Sequence, residues 1–181
     1  MFRLIFFTGI FLLQVVIAFS ASWNPEEKPL RKALEKVGET GSWKELPSAA
    51  NVEAQGRFFR TGDMERPLYL YAGRVQTCRQ GGCSSPSLLS NNLNSEFFDY
   101  FIIFNADFSV RLVRIYNYEA THGQEIMNKG WLRQFEDYDG SGPLTVGKTI
   151  DAISGATISV YAITSDIREK TGILKSLLAD K

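Results

Sequence analysis

The sequence has little of what builds metal centres. Two cysteines and one histidine in 181 residues leave little room for a Cys/His zinc site. It has no excess of charge of either sign: Lys plus Arg number 20 and Asp plus Glu number 20. A nucleic-acid binder needs a basic face, and this balance argues against one. Internal repeats and low-complexity tracts are absent. What is present suits a globular chain: 44% apolar and 22% charged residues build a core and exclude wholesale disorder. The length fits one domain with an appendage.

The one long apolar run opens the chain. Met1-Phe2-Arg3 is a short basic lead, Leu4 to Ala18 is almost entirely apolar, and Ala18-Phe19-Ser20 places small residues where a signal peptidase inspects them. Residues 1–20 are expected to be a secretory signal cut before Ala21. An uncleaved anchor is the alternative, for which the run is short. The expected location is extracytoplasmic: the periplasm or the outer face of the cytoplasmic membrane. Disulfides persist there and nucleoside triphosphates are scarce.

Residues 21–63 are expected to form a lead-in with one helix, and residues 64–181 the main domain. Leu30, Ala33, Leu34 and Val37 recur at helical spacing, with Gly38 as a stop. Phe58-Phe59 suggests a short strand and Leu68 to Val75 a longer one. Gln76 to Asn94 reads as a loop. Phe97 to Tyr118 reads as a β-hairpin turning at Asn105-Ala106-Asp107; apolar on both faces, it is expected in the middle of a sheet. Asn128 to Phe135 is helical in pattern and Leu144 to Ile150 is a candidate strand. Ile158 to Ile167 is helix-compatible, Lys170-Thr171-Gly172 is a stop, and a last short helix covers Ile173 to Ala179. Hairpins with segregated helices predict an α+β fold, an antiparallel sheet with flanking helices.

Three motifs invite chemistry and fit it poorly or openly. Gly142 to Thr149 matches the P-loop pattern letter for letter, but an acidic turn precedes it and another glycine turn follows soon after, where a P-loop needs a buried strand and then a helix. Asp137, Asp139, Ser141 and Gly142 imitate the start of a calcium loop whose last position would be Lys148, where a bidentate Glu is required. Cys78-Arg-Gln-Gly-Gly-Cys83 can bend back on its glycine pair. In an oxidising compartment a structural disulfide is the favoured reading, with a redox-active pair and two free thiols as the others.

The segment Asp151-Ala-Ile-Ser154-Gly155-Ala156-Thr157 precedes an apolar, helix-compatible run. Ser154 and Gly155 make a tight turn, small residues let a ligand approach the backbone, and the helix start offers unpaired N–H groups to an anion. Thr157 adds a hydroxyl at that point. The plain alternative is a capped helix start with Thr157 as N-cap. This D-x-x-S-G-A-T stretch resembles the flavinylation motif of FMN-binding domains. These domains occur in subunits of ion-pumping NADH:quinone and ferredoxin oxidoreductases, and in single-domain extracytoplasmic proteins. A second, looser stretch, Glu119-Ala-Thr121-His-Gly123 followed by Trp131 and Phe135, is similar to the family's Glu-Thr-Pro-Gly segment and its downstream Trp and Phe. Here Ala120 is inserted and His122 stands where Pro is usual. Tyr71-Ala-Gly-Arg-Val before the cysteine pair looks like a subgroup of the family. The resemblance covers about residues 64–170.

The resemblance implies FMN joined to Thr157 through a phosphoester bond made by a separate Mg-dependent FAD:protein FMN transferase. It implies that Ser154, Gly155 and Ala156 shape the phosphate turn and that Asp151 is part of what the transferase recognises. Glu119 and Thr121 would lie near the isoalloxazine ring. The implied role is an exported electron carrier with unidentified redox partner proteins, which a membrane complex could supply. A noncovalent FMN or ligand module of the same fold, and a small flavin-dependent extracytoplasmic reductase, are the alternatives. A tether suits an exported flavoprotein, because the effective concentration of the cofactor stays high whatever the bulk level. His122, the lone histidine, reads either as a flavin neighbour that tunes charge or accepts protons, or as a plain loop residue. Trp131 could stack on the flavin or fill the core. Arg74 could pair with the flavin phosphate.

Overall fold

The computed structural model describes residues 28–47, 55–63, 65–77 and 96–179. The expected signal at residues 1–20 and the pair Cys78 and Cys83 lie outside them. Helix α1 spans Lys28–Glu35, followed by strands β1 (Trp43–Leu46), β2 (Gly56–Thr61), β3 (Tyr69–Thr77), β4 (Glu96–Phe104) and β5 (Val110–Tyr118). A 3-10 turn (Gln124–Met127), the short helix α2 (Lys129–Leu132) and a second 3-10 turn (Arg133–Phe135) come next. The long helix α3 (Thr157–Ala179) closes the order.

The five strands form one antiparallel meander in the order β1-β2-β3-β4-β5. The fold is α+β, as the segregated pattern predicts. Strands β1 and β2 precede residue 64 in the chain yet pair into the same sheet as β3 to β5. Alternation divides the sheet's side chains between two cores. Phe58, Tyr71, Tyr100, Ile102 and Val113 face Val160, Ile163, Ile167 and Leu174 of α3. Phe59, Leu70, Ala72, Phe101 and Ile103 pack with Leu30 and Leu34 of α1. Each of those fully buried aliphatic side chains stabilises the fold by about 1.5–3 kcal/mol relative to exposure. Among the described residues no helix is long and apolar enough to cross a membrane.

The structure corrects four expectations. The hairpin of β4 and β5 is not central: β4 is interior, but β5 is the edge strand. Its apolar residues are covered from the faces by α1 and α3, and its first residue exchanges hydrogen bonds with the Asp137–Tyr138 backbone at the open edge. Leu144 to Ile150 is not a strand. The N–H groups of Lys148, Thr149 and Ile150 all donate to the Thr145 carbonyl, and Gly147 at φ +80° closes a tight turn. The same turn means that the P-loop look-alike opens no helix. The expected break at Lys170-Thr171-Gly172 does not occur, because Lys170 and Thr171 are buried and carry the core face of one 23-residue helix on to Leu174. The fourth correction concerns Thr157 and belongs to the site.

Candidate functional site

Helix α3 begins at Thr157, so Thr157 is its first residue rather than its cap. Ala156 stands in the capping position, and its carbonyl accepts the first helical bond from Val160 N–H at 2.9 Å. Alanine has no side-chain oxygen to offer the first turn. Among the described residues no acceptor meets the N–H groups of Thr157, Ile158 and Ser159. The turn before them is held by Ala156 N–H donating to the Ile153 carbonyl and by Gly155 at φ +84°. A Cβ on Gly155 would meet nothing within 4 Å, so the space beside this turn is open. Thr157 is exposed, and Ala156 beneath it is buried.

Gly155, Ala156 and Thr157 line a cavity of about 380 Å³ together with Ile158, Ser159, Thr77, Glu96 and His122. Strands β3 and β4, the loop after β5 and the start of α3 therefore meet at one place. The loop is fixed by Tyr118, whose hydroxyl donates to the His122 carbonyl at 2.6 Å and lies 2.9 Å from Ser159 Oγ. Burial raises the Tyr118 ionisation above its ordinary value, the Ser159 hydrogen bond opposes this, and Glu125 and Glu96 add to the rise. Thr121 Oγ1 and N–H both donate to Glu96 Oε1, and His122 Nδ1 lies 3.0 Å from Thr121 Oγ1. Among the described residues that line the cavity there is no lysine or arginine. An anion placed here would meet the helix N-terminus instead.

Not every candidate residue joins this cavity. Ser154 is exposed in the preceding turn. Glu119 is exposed, and its N–H donates to the Phe97 carbonyl. Asp151 lines a separate hollow of about 440 Å³ with Glu125, Asn128, Trp131 and Gln134. Its N–H donates to Gln134 Oε1 at 2.8 Å and its carbonyl accepts from Trp131 Nε1 at 2.9 Å, so both bonds are made by its main chain. Trp131 is buried edge-on against Phe135, so it is a core residue that pins the Asp151 loop. Arg74 is committed elsewhere: its guanidinium forms two hydrogen bonds to Asp99 and lies over the Phe97 ring. A larger cavity of about 640 Å³ lies under α1 against Trp43, Phe59 and Leu70, and none of the predicted site residues lines it.

Glu96, Thr77, Tyr118 and Ser159 were not candidates from the sequence. Each is an unremarkable polar residue in a strand or helix, and only the meander brings them to the start of α3. Comparison with protein-family models, curated proteins and solved structures found no match.

Proposed function

We propose that this protein is an exported electron-transfer flavoprotein that carries FMN as a phosphoester on Thr157. The observation that supports it is the arrangement at the start of α3. An exposed threonine hydroxyl sits on a first turn whose N–H groups have no acceptor among the described residues, beside an open left-handed glycine turn. The D-x-x-S-G-A-T pattern there is the one that resembles flavinylated domains.

The residues present fit a phosphate diester. The N–H groups of Thr157, Ile158 and Ser159 would receive its oxygens, and Gly155 would let it approach the backbone. In the attachment step Thr157 Oγ attacks the phosphorus of the FMN half of FAD. The Oγ–P bond forms, the pyrophosphate P–O bond breaks, AMP leaves, and the hydroxyl proton passes to the transferase or to water. When bound, the isoalloxazine ring supplies one- and two-electron chemistry. The chain itself supplies position: Glu96 and His122 line the cavity that holds Thr157, and Thr121 bridges them by hydrogen bonds. The exposed Asp151, held on its Trp131-pinned loop, is the surface a transferase reads.

The test is co-expression with an FAD:protein FMN transferase, then in-gel fluorescence and intact mass of the denatured protein. The native chain is expected to fluoresce and to gain the mass of FMN less one water, and Thr157→Ala to do neither. No gain in the native chain, with the transferase active on a control, overturns the covalent assignment and leaves a noncovalent module as the reading.

A further inference from the structure

Two residues of the cavity wall, Glu96 and His122, are linked through Thr121 by a directed hydrogen-bond chain. Thr121 Oγ1 carries one proton, and Glu96 Oε1 receives it. The same oxygen, 3.0 Å from His122 Nδ1, must then accept from that nitrogen. A neutral His122 is therefore protonated at Nδ1, and its basic lone pair is on Nε2. The main chain of His122 is clamped as well, by the Tyr118 hydroxyl on its carbonyl and by the left-handed Gly123 that follows. Among the described residues the charged groups around it are carboxylates: Glu96 on β4 accepts from Thr121, and Glu125 on the following 3-10 turn is near enough to raise the Tyr118 ionisation. The other described residues of the cavity, Thr77 on β3 and Thr157, Ile158 and Ser159 on α3 among them, are uncharged.

Resting on the proposed flavin attachment at Thr157, we propose that His122 is the redox-linked proton site of this protein. With the cofactor bound and reduced by two electrons and one proton from an external donor, His122 Nε2 would take up a second proton from solvent. The imidazolium formed is held by the Thr121–Glu96 chain and offsets the negative charge gained in the cavity. On reoxidation Nε2 returns its proton to solvent. A histidine beside a new negative charge binds its proton more tightly, and the coupling is reciprocal: the protonated histidine makes reduction easier by the same factor.

His122 is the only histidine of the chain, so an untagged protein gives one imidazole signal. The experiment titrates that signal by NMR in the full-length, FMN-loaded protein, oxidised and dithionite-reduced. The expected result is a midpoint about one pH unit higher in the reduced form, a tenfold gain in proton affinity. The potential of the native protein is then about 30 mV above that of His122→Gln at pH below that window, and the two converge above it. Glu96→Gln, which keeps an acceptor for Thr121 but removes the charge, is expected to lower both His122 midpoints. Bound FMN with identical midpoints in the two redox states overturns the proton-site assignment alone. Absence of covalent FMN, seen in the denatured-gel fluorescence, overturns it together with the attachment it rests on.

Discussion

The Tyr118 hydroxyl lies 2.9 Å from Ser159 Oγ and spends its only proton on the His122 carbonyl, so Ser159 is the donor between them. This pair joins the edge strand to the first turn of α3. Ser159 also lines the cavity that contains Thr157. Gly123 is seated in the same clamp: a Cβ there would fall 2.7 Å from Ser159 Oγ and 2.9 Å from the Tyr118 hydroxyl.

Gly123→Ala is therefore expected to destabilise the fold by about 2 kcal/mol, from strain at φ +91° and from the clash. Gly155→Ala has a similar φ of +84° but open space around it, and is expected to cost about 1 kcal/mol. Urea unfolding of both variants checks the order. Equal losses would mean that the Tyr118–Ser159 clamp does not resist a side chain at position 123.

Arg74→Ala separates a structural role from a phosphate-binding one. Asp99 is 1% exposed and accepts from Arg74 Nε at 2.7 Å and from Asn117 Nδ2 at 3.0 Å. Removing the half-buried guanidinium strands this carboxylate, at a cost of about 2–3 kcal/mol. Flavin loading of the folded fraction is expected to stay at the native level. Loss of loading with stability unchanged would place Arg74 at the phosphate.

Lys170 is wholly buried, with Asp166 at 3.2 Å, Glu169 at 2.8 Å and Gln55 Oε1 at 3.0 Å. Asp166 also accepts from the Tyr100 hydroxyl. Lys170→Met leaves the Asp166 charge without its cation and is expected to cost about 3–5 kcal/mol by urea unfolding. Recovery of most of that loss in Lys170→Met/Asp166→Leu would attribute it to the stranded charge.

The same network predicts a pH dependence. Burial raises the Asp166 carboxyl above its ordinary value, against the pull of Lys170 and the Tyr100 hydrogen bond. A raised folded-state value means that the native state holds the proton more tightly than the unfolded chain. Its contribution is full below the unfolded value of 3.8 and is lost as pH rises through the folded value. Stability curves of native protein and Asp166→Asn are expected to diverge across that window, with the native curve falling more as pH rises. Parallel curves would count against it.

Gly172 sits inside α3 with nothing within 4 Å of a built Cβ. Gly172→Ala is expected to raise stability by about 0.5–1 kcal/mol, seen as a higher thermal midpoint. A break at this point, as Lys170-Thr171-Gly172 suggests in sequence, would instead give a loss.

Local pattern located α1 by the 3.6 spacing of Leu30, Ala33, Leu34 and Val37, β3 by its run of aromatic and aliphatic residues, the β4–β5 hairpin by its strand residues on either side of the Asn105–Asp107 turn, and the body of α3 by an apolar, helix-compatible run. The D-x-x-S-G-A-T stretch marked the turn at Gly155 and the hydroxyl at Thr157 because local chemistry, a glycine before a helix start, dictates both. Sequence could not show that α3 runs through Gly172. That depends on Lys170 finding Asp166, Glu169 and Gln55 and on Leu174 packing into the core under the sheet, which outweighs one glycine's local penalty. Nor could it place Arg74 on Asp99, since their pairing follows from strand register across 25 positions. The grouping of Glu96, Thr121 and His122 is likewise a product of tertiary structure. A hydrogen bond acts over about 3 Å, and only the antiparallel meander brings the first residue of β4 within that distance of the loop after β5.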